Sequence, residues 1–194
     1  DDGLVYTKRD KVGLINLLSQ DPVHPELSTS CTSGITDLSY LFTDNISINR
    51  DLSSWDVSSV TNMDSMFENA RNFNRSLAFW DVSSVTTMNS MFKGAEQFSQ
   101  PISAWNVNNV TSMASMFDGA SSFDQPLGNW DVNNVTSMTS MFHEALAFNK
   151  SLENWDVSNV TSMASMFDGA SAFNQPLENW NVSNVTSMAS MFDG

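Results

Sequence analysis

The sequence predicts an α/β tandem-repeat solenoid with one short strand and one short helix in each 25-residue repeat. Two observations predict it. All six tryptophans, Trp55, Trp80, Trp105, Trp130, Trp155 and Trp180, stand 25 residues apart. The twelve methionines keep that step in pairs, from Met63 and Met66 to Met188 and Met191, as do Phe67, Phe92, Phe117, Phe142, Phe167 and Phe192. Self-similarity at one fixed period marks a repeat architecture, in which neighbouring units bury faces that no unit can bury alone.

Taken in chain order, residues 1–34 read as an N-terminal cap and residues 35–194 as the array. In the cap, Val12, Leu14, Ile15, Leu17 and Leu18 predict a helix over about residues 7–19, covering the first edge of the stack. A degenerate first unit follows, with Ile35, Thr36, Leu38, Leu41 and Phe42 one period before Val60, Thr61, Met63, Met66 and Phe67.

Within a unit, Trp130 and Val132 alternate with Asp131 and Asn133, the period-2 pattern of a short strand with one buried face. Val135, Met138, Met141, Phe142 and Ala145 then step at helical spacing, and Thr136 stands where a helix cap would. Pro101, Pro126 and Pro176 predict an extended return to the next strand. The sequence ends in mid-repeat, so Met188, Met191 and Phe192 form an edge expecting another unit or a self-associating partner.

Eight Lys and Arg against 22 Asp and Glu give a net charge of −14 and a pI near 4.1. That balance excludes nucleic acid and anionic lipid, both of which need clustered cations. Apolar runs are too short for direct membrane insertion. The lone Cys31 leaves no intrachain disulfide and no Cys/His metal spacing. Opening at Asp1 without Met or an export signal, the sequence has the form of a processed product.

The recurrent polar columns read as architecture. Asp56, Asp81, Asn106, Asp131, Asp156 and Asn181 share one position, and a carboxylate column of Asp56, Asp81, Asp131 and Asp156 is a weak candidate for calcium. The position takes Asn as readily as Asp, however, so what recurs is a short hydrogen-bond acceptor that satisfies backbone amides at a turn. Asn74, Ser99, Asp124, Asn149 and Asn174 read the same way. Ser65, Ser90, Ser115, Ser140, Ser165 and Ser190 have no histidine at a matching step to make a nucleophile, and read as small residues between stacked helices. His143 occupies a position held elsewhere by Glu68, Lys93, Asp118 and Asp168, which marks a solvent-facing site. The N-V-T sequons at Asn109, Asn134, Asn159 and Asn184 are by-products of the repeat. No catalytic constellation and no cofactor site is expected.

The unit W-D-V-S-x-V-T-x-M-x-x-M-F-x-x-A-x-x-F-N-x-x-L resembles the 25-residue BspA-like repeats of bacterial surface proteins and mycoplasma lipoproteins. Leu127-Gly128-Asn129-Trp130-Asp131-Val132 also has the L-x-x-L-x-L form of a leucine-rich repeat, with Trp at the second apolar site. The resemblance implies a leucine-rich-repeat-like right-handed coil, displayed at the cell surface or outside the cell. It also implies adhesion, with a host, matrix or other surface protein as partner.

On this reading the protein is non-catalytic and binds through positions that differ between repeats: Phe79, Lys93, Asp118, His143, Asp168, Glu153 and Glu178. Phe79 is the only large aromatic among them. The alternative is a structural spacer, with a hydroxyl array for water, ice or glycan as a third reading.

Overall fold

The computed structural model describes residues 5–194. Near the start, β1 (Thr7–Lys8) pairs in parallel with β2 (Ser30–Cys31), placing Thr7 opposite Ser30. Between them lie α1 (Lys11–Gln20) and a 3-10 helix (Pro25–Thr29). The first helix thus begins later than the expected residue 7. Thr7 and Lys8 are extended because they pair with Ser30 and Cys31, and Asp10 caps the helix by accepting from the Gly13 amide at 2.8 Å. Leu14 and Leu17 are buried and Leu18 packs half-buried against the core, whereas Val12 and Ile15 are exposed, so only part of the expected apolar face enters the core.

Beyond residue 35, successive 25-residue units lie in register on one another. Single parallel bridges run Asp37, Asn62, Thr87, Ser112, Ser137, Ser162 and Ser187, each pairing with the next. The expected helix in each unit is absent among the described residues. From Met138 to Ala145 the backbone alternates between two kinds of bond. Met138, Ser140, Phe142 and Glu144 donate to Ser162, Ala164, Met166 and Asp168 of the following unit, at 2.8–3.0 Å. Met141, His143 and Ala145 donate three residues back, at 3.1–3.2 Å. A helix would need every amide to bond within its own unit.

Two residues with positive φ make this alternation work. Ser140 (φ 53°) and Glu144 (φ 52°) sit third in the turns Met138–Met141 and Phe142–Ala145, the geometry of a type II turn. The apolar spacing of 3, 3, 1 and 3 is therefore produced by consecutive tight turns that point the same side chains inward. The expected strand is likewise replaced by turns: Trp130 donates to Leu127 at 3.0 Å and Val135 to Val132 at 2.9 Å. The inward and outward alternation survives, with Trp130 and Val132 buried and Asp131 exposed.

The interior is an aromatic and thioether stack. Phe67, Phe92, Phe117, Phe142 and Phe167 follow one another at 5.5–5.8 Å between ring centroids. The Phe73, Phe98, Phe123, Phe148 and Phe173 column keeps 6.0 Å. Indole pairs such as Trp105 and Trp130 lie 6.4 Å apart and 3° from parallel. Burying such rings contributes roughly 1.5–3 kcal/mol each, and offset stacking adds to that.

Candidate functional site

Since the repeated apolar residues fill the interior, chemistry available to a partner lies in the outward-facing columns. One face is made by the turns around each tryptophan. Here Asp56, Asp81, Asn106, Asp131, Asp156 and Asn181 each accept from the amide two residues on, at 3.0–3.3 Å. These are Asx-turns, and Asn serves as well as Asp because only an acceptor oxygen is needed. Hydrogen bonds from the Ser58, Ser83 and Ser158 hydroxyls and amides hold the carboxyls of Asp56, Asp81 and Asp156 below the ordinary carboxylate range. Among the described residues, no three His, Cys, Asp or Glu side chains group as metal ligands.

Phe79 stands on this same face, 89% exposed. Its turn is closed by the Trp80 amide donating to Leu77 at 3.1 Å, and the equivalent residues in adjoining units are the small Ser54 and Ala104. Glu153 and Glu178 are also exposed here, and the Glu153 Oε1 accepts from Asn179 Nδ2 at 2.9 Å.

The second variable column, Glu68, Lys93, Asp118, His143 and Asp168, is only half-exposed and partly paired with itself. Asp118 Oδ1 meets His143 Nδ1 at 2.7 Å, and Asp118 Oδ2 meets Lys93 Nζ at 3.3 Å, joining three successive units. His143 is thus an ion-pair member and not the freely solvated side chain its column suggests. Partial burial works against its charge, but the bond to Asp118 and the charges of Asp118, Glu144 and Asp168 prevail and raise its pKa.

The other columns bind one unit to the next. Thr61, Thr86, Thr111, Thr136, Thr161 and Thr186 cap no helix. Each sends both its amide and its hydroxyl to the carbonyl of the residue 25 positions earlier, as Thr136 does to Thr111 at 2.9 and 3.1 Å. Asn74, Ser99, Asp124 and Asn149 each accept from the amide of the equivalent residue in the following unit, at 2.9–3.3 Å. The sequon asparagines Asn109, Asn134, Asn159 and Asn184 donate across units at 2.7 Å.

The serine column has a different role from the one its size suggests. Ser65, Ser90, Ser115, Ser140, Ser165 and Ser190 all have φ between 52° and 55°. Sequence reasoning missed this left-handed column and a second one, Asn69, Gly94, Gly119, Glu144 and Gly169. The mixture of Gly and Asn at one step was the available signal, because those residues tolerate that conformation best.

At the final unit, Met188 and Phe192 are 41% and 62% exposed, while Met191 is buried. Cys31 is half-buried beside Tyr6, Thr32, Ser54 and Asp56. Among the described residues no helix is long and apolar enough to cross a membrane. A family model described as Mycoplasma protein of unknown function, DUF285, matches residues 21–128 and 100–194. No curated protein and no solved structure matches the chain.

Proposed function

The chain belongs to this DUF285 family of unknown function, and from that premise we propose that it is a non-catalytic, surface-displayed repeat protein that binds another protein. On this reading the stack is a right-handed solenoid of leucine-rich type, and its repeats are of the BspA-like kind, displayed outside the cell for adhesion. One observation carries the proposal: identity between units is concentrated in buried residues, and variety in exposed ones. Trp80, Met88, Met91 and Phe92 recur and are buried, whereas Phe79 is replaced by Ala104, Asn129, Asn154 and Asn179 at equivalent outward positions. A rigid scaffold with a variable outer face is how repeat proteins recognise partners. Lys93, Asp118 and His143 contribute less to such a face, since they pair with one another.

The spacer reading has its own support. Residues 157–180 differ from 107–130 at only four positions, 108, 122, 124 and 128 against 158, 172, 174 and 178, so those two units offer a partner little that differs. Capture of host or matrix proteins by the displayed chain, with and without one internal 25-residue unit, tests both readings. A binding face that depends on register loses its partner on deletion; unchanged capture sinks the binding proposal.

A further inference from the structure

The two sides of the unit differ in how their charge is balanced. Of the eight Lys and Arg residues, Arg9, Lys11, Arg71, Lys93 and Lys150 pair with Glu26, Asp37, Glu96, Asp118 and Asp124. Arg50 and Arg75 donate to the carbonyls of Val23 and Asn49. The eighth, Lys8, is exposed in β1 opposite Cys31, one period before Asp56, and all eight lie outside the segments that surround the tryptophans.

Those segments, 51–59, 76–84, 101–109, 126–134, 151–159 and 176–184, contain no Lys, Arg or His. They carry seven exposed carboxylates, Asp51, Asp56, Asp81, Asp131, Glu153, Asp156 and Glu178, of which Asp51 lies near enough to Arg75 to feel its charge. Asp56 and Asp81, one unit apart, are close enough for the charge of one to act on the other. Phe79 rises two residues before Asp81, with the small Ser54 and Ala104 in the flanking units.

Resting on the protein-binding reading, we propose that the tryptophan-turn face, centred on Phe79 with Asp56 and Asp81, docks a basic polypeptide segment in which Lys or Arg flanks an apolar side chain. Charge complementarity selects this occupant. An acidic strip attracts cationic partners and repels a second copy of a chain carrying −14. An exposed ring offers both apolar contact and a negative π-face to a cation. Central aromatic anchors provide most of the affinity at interfaces, while surrounding charges set on-rate and specificity.

The repeat itself supplies substitutions that the fold accepts. Phe79→Asn introduces the residue found at Asn129, and Asp56→Asn with Asp81→Asn introduces the residue found at Asn106, whose Oδ1 makes the same turn. The test is calorimetric titration of the full chain with a short peptide of alternating Arg and Gln around a central Leu. A counterpart with Glu in place of Arg is the control. The Arg peptide should bind, more weakly as salt rises. Phe79→Asn should weaken it about tenfold, the loss of an aromatic anchor. The double Asp→Asn variant should weaken it and flatten the salt dependence, and Glu68→Gln in the other column should leave it unchanged. Equal affinity for wild type and Phe79→Asn, or equal affinity for the Glu peptide, overturns the inference. If deleting one unit abolishes protein capture while the peptide ignores Phe79→Asn, this inference alone fails. Capture unaffected by the deletion overturns the underlying reading instead.

Discussion

The indole Nε1 of Trp105 donates at 3.0 Å to the carbonyl of Leu77, 28 residues earlier and in the preceding turn. The same carbonyl accepts the Trp80 amide at 3.1 Å, so both its lone pairs are used. Trp80, Trp130, Trp155 and Trp180 repeat the relationship with Leu52, Ile102, Leu127 and Leu152, and Trp55 makes it with Leu27. Each tryptophan is thereby a wedge inside its own unit and a hydrogen-bonded clamp on the one before.

Replacing Trp105 by Phe should keep the stacked ring and remove the clamp. The Leu77 carbonyl retains one donor, so the lost bond costs about 1 kcal/mol, and the smaller ring leaves a gap that brings the total to about 2 kcal/mol. A urea unfolding series should show a lower midpoint at unchanged slope, the shift multiplied by that slope giving the loss. An unchanged midpoint would mean that the indole bond contributes nothing to holding units together.

How much of this was legible follows from what a periodic pattern encodes. The step of 25 identified the buried set, because a residue such as Phe117 can recur only where the interior requires it. It also identified the Asp131-type column as turn acceptors. What the pattern left hidden was the backbone: Val135, Met138, Met141, Phe142 and Ala145 fit one helix face and also fit two successive turns bonded to the next unit. Side-chain spacing reports which residues face inward, and two backbones here satisfy the same list. The difference lies in Ser140 and Glu144, whose positive φ no apolar periodicity records. Neither did the sequence reveal that Asp118 bridges Lys93 and His143, since a column of mixed charges looks solvated until its register is known.

The left-handed column gives opposite expectations at two of its members. Glu144 holds φ 52°, where a Cβ crowds the following carbonyl. Glu144→Gly should therefore stabilise the protein by about 0.5–1 kcal/mol. Gly94 has φ 65°, and a Cβ there would come within 2.4 Å of Asn69 Oδ1. Gly94→Ala should cost about 1–2 kcal/mol, less if the Asn69 side chain swings away. Differential scanning calorimetry of the two variants checks the pair: Tm rises for the first and falls for the second. Movement in the same direction would contradict the turn geometry.

His143 sets a pH dependence of definite sign. Its folded pKa lies above the ordinary 6.5, because Asp118 and the neighbouring carboxylates outweigh the desolvation that opposes its charge. Folding is therefore favoured when the ring is protonated. That contribution is complete below about pH 6.5 and fades as pH rises through the raised value. Because a third of the side chain is solvated, the effect should be small, about 0.5 kcal/mol. His143→Gln should lower stability at pH 5.5 and change little at pH 8.5. A wild-type advantage that grows with pH would reverse the sign and refute the pairing.

Excising residues 107–131 tests whether that pairing is set by stacking alone. The cut joins Asn106 to Val132, which matches the Val107 it replaces, so the repeat continues in phase. Because each unit contacts chiefly its neighbours, the shortened stack should fold, losing roughly one unit's worth of stability. Its charges would be rearranged in a defined way. Asp118 is gone, and the unit bearing Lys93 would lie directly beside the unit bearing His143. A cation now neighbours the imidazole in place of a carboxylate, so its pKa should fall relative to the intact chain. The stability lost between pH 5.5 and 8.5 in the parent should shrink in the excised form. Following the His143 ring protons by NMR through a pH titration reads this directly, with Asp118→Asn in the intact chain as the reference that lacks the same carboxylate: a midpoint below that reference supports in-phase stacking beside Lys93, and a midpoint equal to it means that the units around the cut do not come together in register.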